Sequence, residues 1–211
     1  MFQLSNQYDE LINYYKQMAE NGYEREDGTF VKNVYSDAEP HKFSDQIKKI
    51  VEYFDAKSGL DYGSGGSDLN KTKLISGEKF IDYIGLKKIQ SFEPARNKKN
   101  KIKSDIVLCF DVLEHVFIND IPWVLNDLFE HANKCVVINV ACYNAAALLP
   151  NGENAHITVR PPSWWLGQVE CISSLHPEIY WALFASESYN NAKFYGVHRM
   201  KDKLDSKKFY Q

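Results

Sequence analysis

The segment GLDYGSGGSD at residues 59–68 places a cluster of glycines directly after the end of a predicted strand. Gly63, Gly65 and Gly66 can take positive φ angles, and they let a ligand approach the backbone without a Cβ in the way. A glycine loop between a strand and a helix is typical of nucleotide sites, although a single G-x-G also occurs in turns that bind nothing. The surrounding residues must therefore decide whether this loop binds a ligand.

A carboxylate follows the next predicted strand, which is the sequence IQSF at residues 89–92. In doubly wound sheets, ligands bind beyond the carboxyl ends of the strands, and an acid at the end of the second strand accepts hydrogen bonds from ribose hydroxyls. Glu93 has this position and is followed by Pro94, so the sequence predicts a nucleotide-type cofactor. A dinucleotide is disfavoured, because the third glycine of G-x-G-x-x-G is missing and Ser67 follows the glycines.

Histidines provide the candidate general bases, because the ordinary pKa of imidazole lies near neutrality. His115 follows Glu114 just beyond the apolar strand at residues 105–110. His156 lies in the long segment after the next apolar strand, at residues 135–141, and that segment is expected to cross the same edge of the sheet. The alternative for either histidine is a structural role in which the ring bonds to the backbone.

Apolar strands alternate with amphipathic helices along most of the chain, which predicts a three-layer α/β fold around a mostly parallel sheet. The end of the chain differs, because the segments at 178–186 and 192–199 are joined by only five residues and must pair antiparallel. Helical periodicity predicts helices over residues 5–22, about 47–54, 67–86 in one or two pieces, around 121–129, and 163–173, with Ser5 and Ser163 as N-cap candidates.

The composition of the 211 residues favours small-molecule chemistry in one catalytic domain. The net charge of −3 gives no overall reason to bind nucleic acid or an anionic membrane, and the basic run at 96–103 is interpreted as a solvated loop. The first residues lack the pattern of a signal peptide, so a cytoplasmic protein is expected. We predict a helical cap at residues 1–40, a catalytic domain at 41–200 and a charged tail at 201–211.

Two motifs resemble those of class I S-adenosylmethionine-dependent methyltransferases. The pattern D-x-G-x-G, at Asp61, Gly63 and Gly65, is similar to the first motif of that superfamily, and SDIVLCFDVLEHV at 104–116 is similar to its fourth-strand segment. The resemblance covers roughly residues 45–199. It implies a Rossmann-like fold with a seven-stranded, mostly parallel sheet whose last strand is antiparallel.

The resemblance also implies an activity and roles for particular residues. The expected reaction transfers a methyl group from S-adenosylmethionine to an oxygen or nitrogen of a small molecule, with a sugar or glycan precursor as one candidate acceptor. Alternatives are a non-catalytic S-adenosylmethionine-binding module and an NAD(P)-dependent oxidoreductase. His115 and His156 are the predicted catalytic residues. The predicted cofactor-binding residues are Asp61, Tyr62, Gly63, Ser64, Gly65, Glu93, Pro94, Asp111 and Val112, and the predicted substrate-binding residues are Tyr15, Tyr143, Arg160 and Trp165.

A metal site is a further alternative. Some class I methyltransferases carry E-x-x-E-H with a later residue and hold a divalent metal, and Asp111, Glu114, His115 and His156 look similar. The superfamily also has D-V-L-E-H without metal, so no metal is assigned from the sequence. The chain departs from the superfamily in the long interval between Gly63 and Glu93 and in the absence of a clear third strand. The residues that contact adenine are therefore unassigned.

Overall fold

A computed structural model describes residues 3–32 and 38–195 of the chain. The charged tail predicted at 201–211 and the end of the hairpin segment predicted at 192–199 lie outside the described residues. Among the described residues, none of the helices combines the length and the apolar character that a membrane crossing requires.

A six-stranded sheet forms the centre of the molecule, and its order is β4-β3-β5-β6-β7-β8. All neighbouring pairs are parallel except β7 and β8, so the prediction of an antiparallel last strand is confirmed. The seventh strand that the resemblance implies is not found in the described part of the chain. The strands of this sheet are β3 (Ser58–Tyr62), β4 (Lys88–Phe92), β5 (Ser104–Phe110), β6 (Ala132–Ala141), β7 (Tyr180–Ser188) and β8 (Asn191–Tyr195), and a separate small hairpin pairs β1 (Tyr23–Glu24) with β2 (Phe30–Val31).

Helices cover both faces of the sheet. They are α1 (Gln7–Asn21), α2 (Ala38–Lys42), α3 (Ser44–Tyr53), α4 (Phe80–Ile84), α5 (Ile121–Glu130) and α6 (Pro162–Ser173), with short 3-10 helices at Pro94–Arg96 and Leu113–His115. Alternate residues of β5 point to opposite faces, as expected for a strand buried on both sides. Val107 and Cys109 pack with α5 and α6, whereas Ile106 and Leu108 pack with α3 and α4. The three-layer α/β prediction is thus confirmed.

The existence of the main helices was predicted more accurately than the residues that cap them. The amphipathic patterns at α1, α3, α5 and α6 are confirmed, and α1 ends at Gly22, whose φ is 90°. Ser5 was expected to cap α1, but its hydroxyl and its backbone N–H both donate to Asp120, which is distant in sequence. Ser163 lies inside α6, which begins at Pro162. Both serines precede helical patterns, so their types alone made them plausible caps.

The predicted helix over 67–86 is wrong for most of its length, because only Phe80–Ile84 is helical. The Asn70 amide donates to the carbonyl of Ile89 and accepts from its N–H, which ties this segment to β4. Asp68 in turn accepts from the backbone N–H of Asn70. Side chains of this kind compete with the helix for backbone groups. The segment is therefore a series of turns until Lys79.

Candidate functional site

The carboxyl ends of β3, β4 and β5 lie side by side. Tyr62, at the end of β3, pairs with Phe92 on one side and with Cys109 on the other, so the loops that follow the three strands meet at one edge of the sheet. A cavity opens at this edge. All the predicted cofactor-binding residues line it: Asp61, Tyr62, Gly63, Ser64, Gly65, Glu93, Pro94, Asp111 and Val112.

The glycine loop bends sharply over the cavity. Gly63 has a φ of 78° and Gly65 a φ of 53°. A residue with a Cβ would be strained in this left-handed region. The N–H groups of Gly63 and Ser64 both donate to the carbonyl of Phe92, which holds the loop against β4. Glu93 accepts from the N–H of Gly65 through Oε2 at 2.8 Å and from the N–H of Ala95 through Oε1 at 3.0 Å. The loop and the carboxylate predicted from the sequence are thus joined directly.

Lys98 is a contributor to this loop that the sequence analysis missed. Its Nζ donates to the carbonyl oxygens of Ser67 at 2.9 Å and Gly65 at 3.3 Å, and to the hydroxyl of Ser64 at 3.2 Å. The sequence analysis interpreted the whole run at 96–103 as solvated. The backbone pairing of Lys98 with Glu93 is what turns this lysine back onto the loop.

Gly63→Ala is expected to destabilise the protein. A Cβ at this position would lie 2.4 Å from Cγ2 of Val112, in a backbone conformation with positive φ. Overpacking costs about 1–3 kcal/mol, and a left-handed non-glycine residue costs about 1–2 kcal/mol more. Chemical denaturation of Gly63→Ala, Val112→Ala and the double variant measures both contributions. The double variant should regain the overpacking part, and strictly additive losses would contradict the contact.

The first helix forms one wall of the cavity. Tyr8, Leu11, Ile12 and Tyr15 of α1 line it, which is consistent with the predicted N-terminal cap. The same helix packs on the segment after β6, where Leu11 and Met18 share an apolar cluster with Leu149. The cavity is therefore bounded by loops of the sheet on one side and by an apolar helix face on the other.

Asp111 follows β5 with a left-handed backbone, at a φ of 58°. A non-glycine residue in this region is uncommon, and such residues concentrate at functional sites. The side chain keeps 36% of its exposure and lines the cavity. Burial works against ionisation of this carboxyl, but the contact with His115 and the charges of His115 and His156 lower the pKa of Asp111 to about 2.

The segment after β6 brings His156 beside His115. Their ring centroids are 4.6 Å apart, although the residues are 41 positions apart in the sequence. Nε2 of His115 lies 3.9 Å from Oδ2 of Asp111, and Nε2 of His156 lies 3.8 Å from Oδ1. Burial, followed by the charge of His115, lowers the pKa of His156 to about 4. The two predicted catalytic histidines therefore face the same carboxylate.

Glu114 is fully buried beneath this cluster and supports the backbone. Its Oε1 accepts from the N–H of Ala141 at the end of β6, and its backbone carbonyl accepts from the N–H of Thr158. Burial, followed by the charge of Asp111, raises the pKa of Glu114 well above its ordinary value. This side chain therefore joins the strand end to the segment that carries His156.

Comparisons with known proteins identify no relative of this chain. No protein-family model, curated protein or solved structure matches this chain. Fold and site geometry thus carry the functional argument.

The predicted substrate-binding residues divide into two groups. Tyr15 contacts His115 through its hydroxyl, and the carbonyl of Tyr143 accepts from His156, so both belong to the surroundings of the cluster. Arg160 is exposed, with Nη1 on the carbonyl of Val159, and Trp165 is fully buried in the core. Neither residue lines the cavity. We therefore do not retain Arg160 and Trp165 in the candidate site.

The cluster of Asp111, His115 and His156 offers three metal-ligand atoms within 4.8 Å of one another. Asp111 and His115 also line the cavity that the glycine loop borders. The arrangement can thus hold a charged group or an ion at one end of the crevice that the glycine loop borders.

Proposed function

We propose that this chain is a methyltransferase that uses S-adenosylmethionine and transfers the methyl group to an oxygen or nitrogen of a small molecule. The observation that carries the proposal is the convergence of the glycine loop, Glu93 and Asp111 on one cavity at the carboxyl edge of the sheet. Ligands of doubly wound sheets bind at this edge. The two motifs that resemble the methyltransferase superfamily supply Asp61, Gly63, Gly65, Asp111 and Val112 among the residues that line this cavity.

The adenosyl part of the cofactor fits the end of the cavity that Glu93 borders. Each oxygen of Glu93 already accepts one backbone N–H. A carboxylate has about four lone-pair positions, so hydrogen bonds from the two ribose hydroxyls can be added to these. The carboxylate would then join the ribose to the loop through Gly65. Phe92 and Pro94 provide apolar surface next to this position.

The methionine part would extend along the glycine loop toward Asp111 and Val112. In the reaction, the acceptor atom attacks the methyl carbon and forms a new bond to it. The bond between that carbon and sulfur breaks, its electron pair stays on sulfur, and S-adenosylhomocysteine leaves. A hydroxyl or amine acceptor also loses a proton, for which His115 and His156 are the bases predicted from the sequence.

Positioning of the acceptor is the main task of such a site, because the sulfonium is already an active methyl donor. Holding two reactants in line can supply about 7–11 kcal/mol of the barrier. Tyr15 of α1 and Val112 border the cavity near His115, so the acceptor would be held between the first helix and this loop.

Calorimetric titration with S-adenosylhomocysteine and, separately, with NADPH tests the proposal. Binding of the first compound and not of the second is the expected result. The reverse result would establish the oxidoreductase alternative. Formation of S-adenosylhomocysteine from S-adenosylmethionine and a small-molecule cell extract separates an enzyme from a non-catalytic binding module.

A further inference from the structure

Three side chains at the edge of the cavity point at one another without bonding directly. The Nε2 atoms of His115 and His156 lie 3.9 and 3.8 Å from the two oxygens of Asp111, which is beyond hydrogen-bond distance. Two ligands of one ion at about 2.0–2.2 Å, arranged tetrahedrally, are about 3.4 Å apart. One ligand atom from each of the three side chains lies within 4.8 Å of the other two, so a closure of at most about 1.4 Å would let all three reach a single ion.

The hydrogen bonds of the two rings fix which nitrogen faces the carboxylate. Nδ1 of His115 lies 2.9 Å from the carbonyl of Ala155, and Nδ1 of His156 lies 2.5 Å from the carbonyl of Tyr143. A carbonyl can only accept, so Nδ1 carries the proton in each ring. The Nε2 atoms then present lone pairs toward Asp111. Metal-binding histidines are commonly oriented in this way by a bond from the other ring nitrogen.

Tyr15 completes the support of His115. Its hydroxyl lies 2.6 Å from Nδ1 of His115 and donates to the carbonyl of Ala155 at 3.2 Å. The tyrosine oxygen can thus accept from the ring while its proton goes to the carbonyl. The ring of His115 is held by α1 and by the segment after β6 together.

Burial separates the ligand rings from water and leaves the carboxylate accessible. The side chains of His115 and His156 keep only 13% and 6% of their exposure, compared with 36% for Asp111. Glu114 is unsuited as a ligand, because it is fully buried and its Oε1 is bonded to the N–H of Ala141. The donor set is therefore two imidazoles and one carboxylate, with the open side toward the cavity.

We propose that Asp111, His115 and His156 bind one divalent transition-metal ion. Imidazole nitrogens suit zinc, iron, nickel or copper, whereas magnesium and calcium prefer oxygen ligands. Three protein ligands leave at least one position for a ligand from the cavity, as in catalytic metal sites.

The role of the ion rests on the proposed function, whereas its binding does not. When bound, such an ion supplies a Lewis acid that polarises an acceptor oxygen. The favoured acceptors are then small molecules with a hydroxyl or another oxygen donor in position to coordinate. In that arrangement His115 and His156 act as ligands, which differs from the base role predicted from the sequence.

Direct metal titration of tag-free, chelator-treated protein tests this inference. Calorimetry with Zn²⁺ and Mn²⁺ should give one ion per chain, and Co²⁺ should develop the visible absorption of a site with nitrogen ligands. Asp111→Asn and His156→Gln should each weaken binding by more than about 100-fold, and Tyr15→Phe by about 10-fold. His131→Asn is the matched control, because His131 precedes β6 at the opposite edge of the sheet.

Absence of binding to the native chain would overturn the inference, as would wild-type affinity in Asp111→Asn. If His156→Gln fails to fold, the partly exposed Asp111 decides the question alone. Titration of the same preparations with S-adenosylhomocysteine keeps the two proposals apart. Metal binding without S-adenosylhomocysteine binding would support the ion site and contradict the methyltransferase proposal. Binding of S-adenosylhomocysteine without metal binding would support the methyltransferase proposal and contradict the ion site.

Discussion

The Gly65→Val variant is expected to lose most of its affinity for S-adenosylhomocysteine. Gly65 lines the cavity, and its backbone has a φ of 53°. A branched side chain there takes space that the ligand needs. Overpacking costs about 1–3 kcal/mol, which corresponds to about 5- to 150-fold in affinity, and loss of the bond between Gly65 N–H and Glu93 would add to it. Calorimetry of the purified variant measures the effect.

Gly77→Val provides the matched control for this variant. Gly77 also has a positive φ, at 86°, but a Cβ there meets no atom within 4 Å. The two variants are therefore expected to have similar backbone strain, but only the Gly65→Val side chain lies at the cavity. Both should lower the thermal midpoint, whereas only Gly65→Val should lose the ligand. Equal affinities in the two proteins would remove the glycine loop from the binding site.

The periodicity of the sequence was sufficient for most of the fold. Apolar stripes such as Ile47, Ile50 and Val51 indicated the helix that covers one face, and continuous apolar runs indicated the buried strands. Both signals are local, because they report which faces of an element meet the core. The short connection before Asn191 likewise allowed only antiparallel pairing.

Long-range bonds explain where the fold prediction went wrong. The segment at 67–79 was predicted to be helical, but Asn70 bonds to Ile89 of β4, and no local pattern contains that partner. Ser5 was assigned as a helix cap for the same reason, since its actual partner, Asp120, lies 115 residues away. Such contacts become visible only when the sheet places the segments side by side.

The cofactor side of the candidate site was more predictable than the acceptor side. The loop and Glu93 each follow a strand directly, so the parallel sheet brings them together without further information. Tyr143, His156, Arg160 and Trp165 all follow β6, and their positions depend on how an irregular segment folds back. That segment turns His156 toward Asp111, whereas Trp165 lies on α6 with its side chain buried in the core. An aromatic residue type does not reveal which of these outcomes applies.

The His156→Gln variant is expected to lower methyl transfer by about 10²- to 10⁴-fold, the range for loss of a catalytic proton-transfer group. Affinity for S-adenosylhomocysteine should change little, because His156 does not line the cavity beside the glycine loop. The measurement is the rate of S-adenosylhomocysteine formation with an extract that supports turnover by the native protein. His131→Asn should keep the native rate.

Removal of metal from the native protein then distinguishes the two roles of His156. As a base, His156 would keep its effect after chelation, and the native rate would not change. As a ligand, His156 would act only through the ion, so chelation should lower the rate of the native protein to that of His156→Gln. Addition of Mn²⁺ or Zn²⁺ should then restore the rate of the native protein but not that of the variant. The geometry favours the second result, because Nε2 of His156 faces Asp111 and His156 does not line the cavity where an acceptor would lie. Full activity of His156→Gln would exclude both roles.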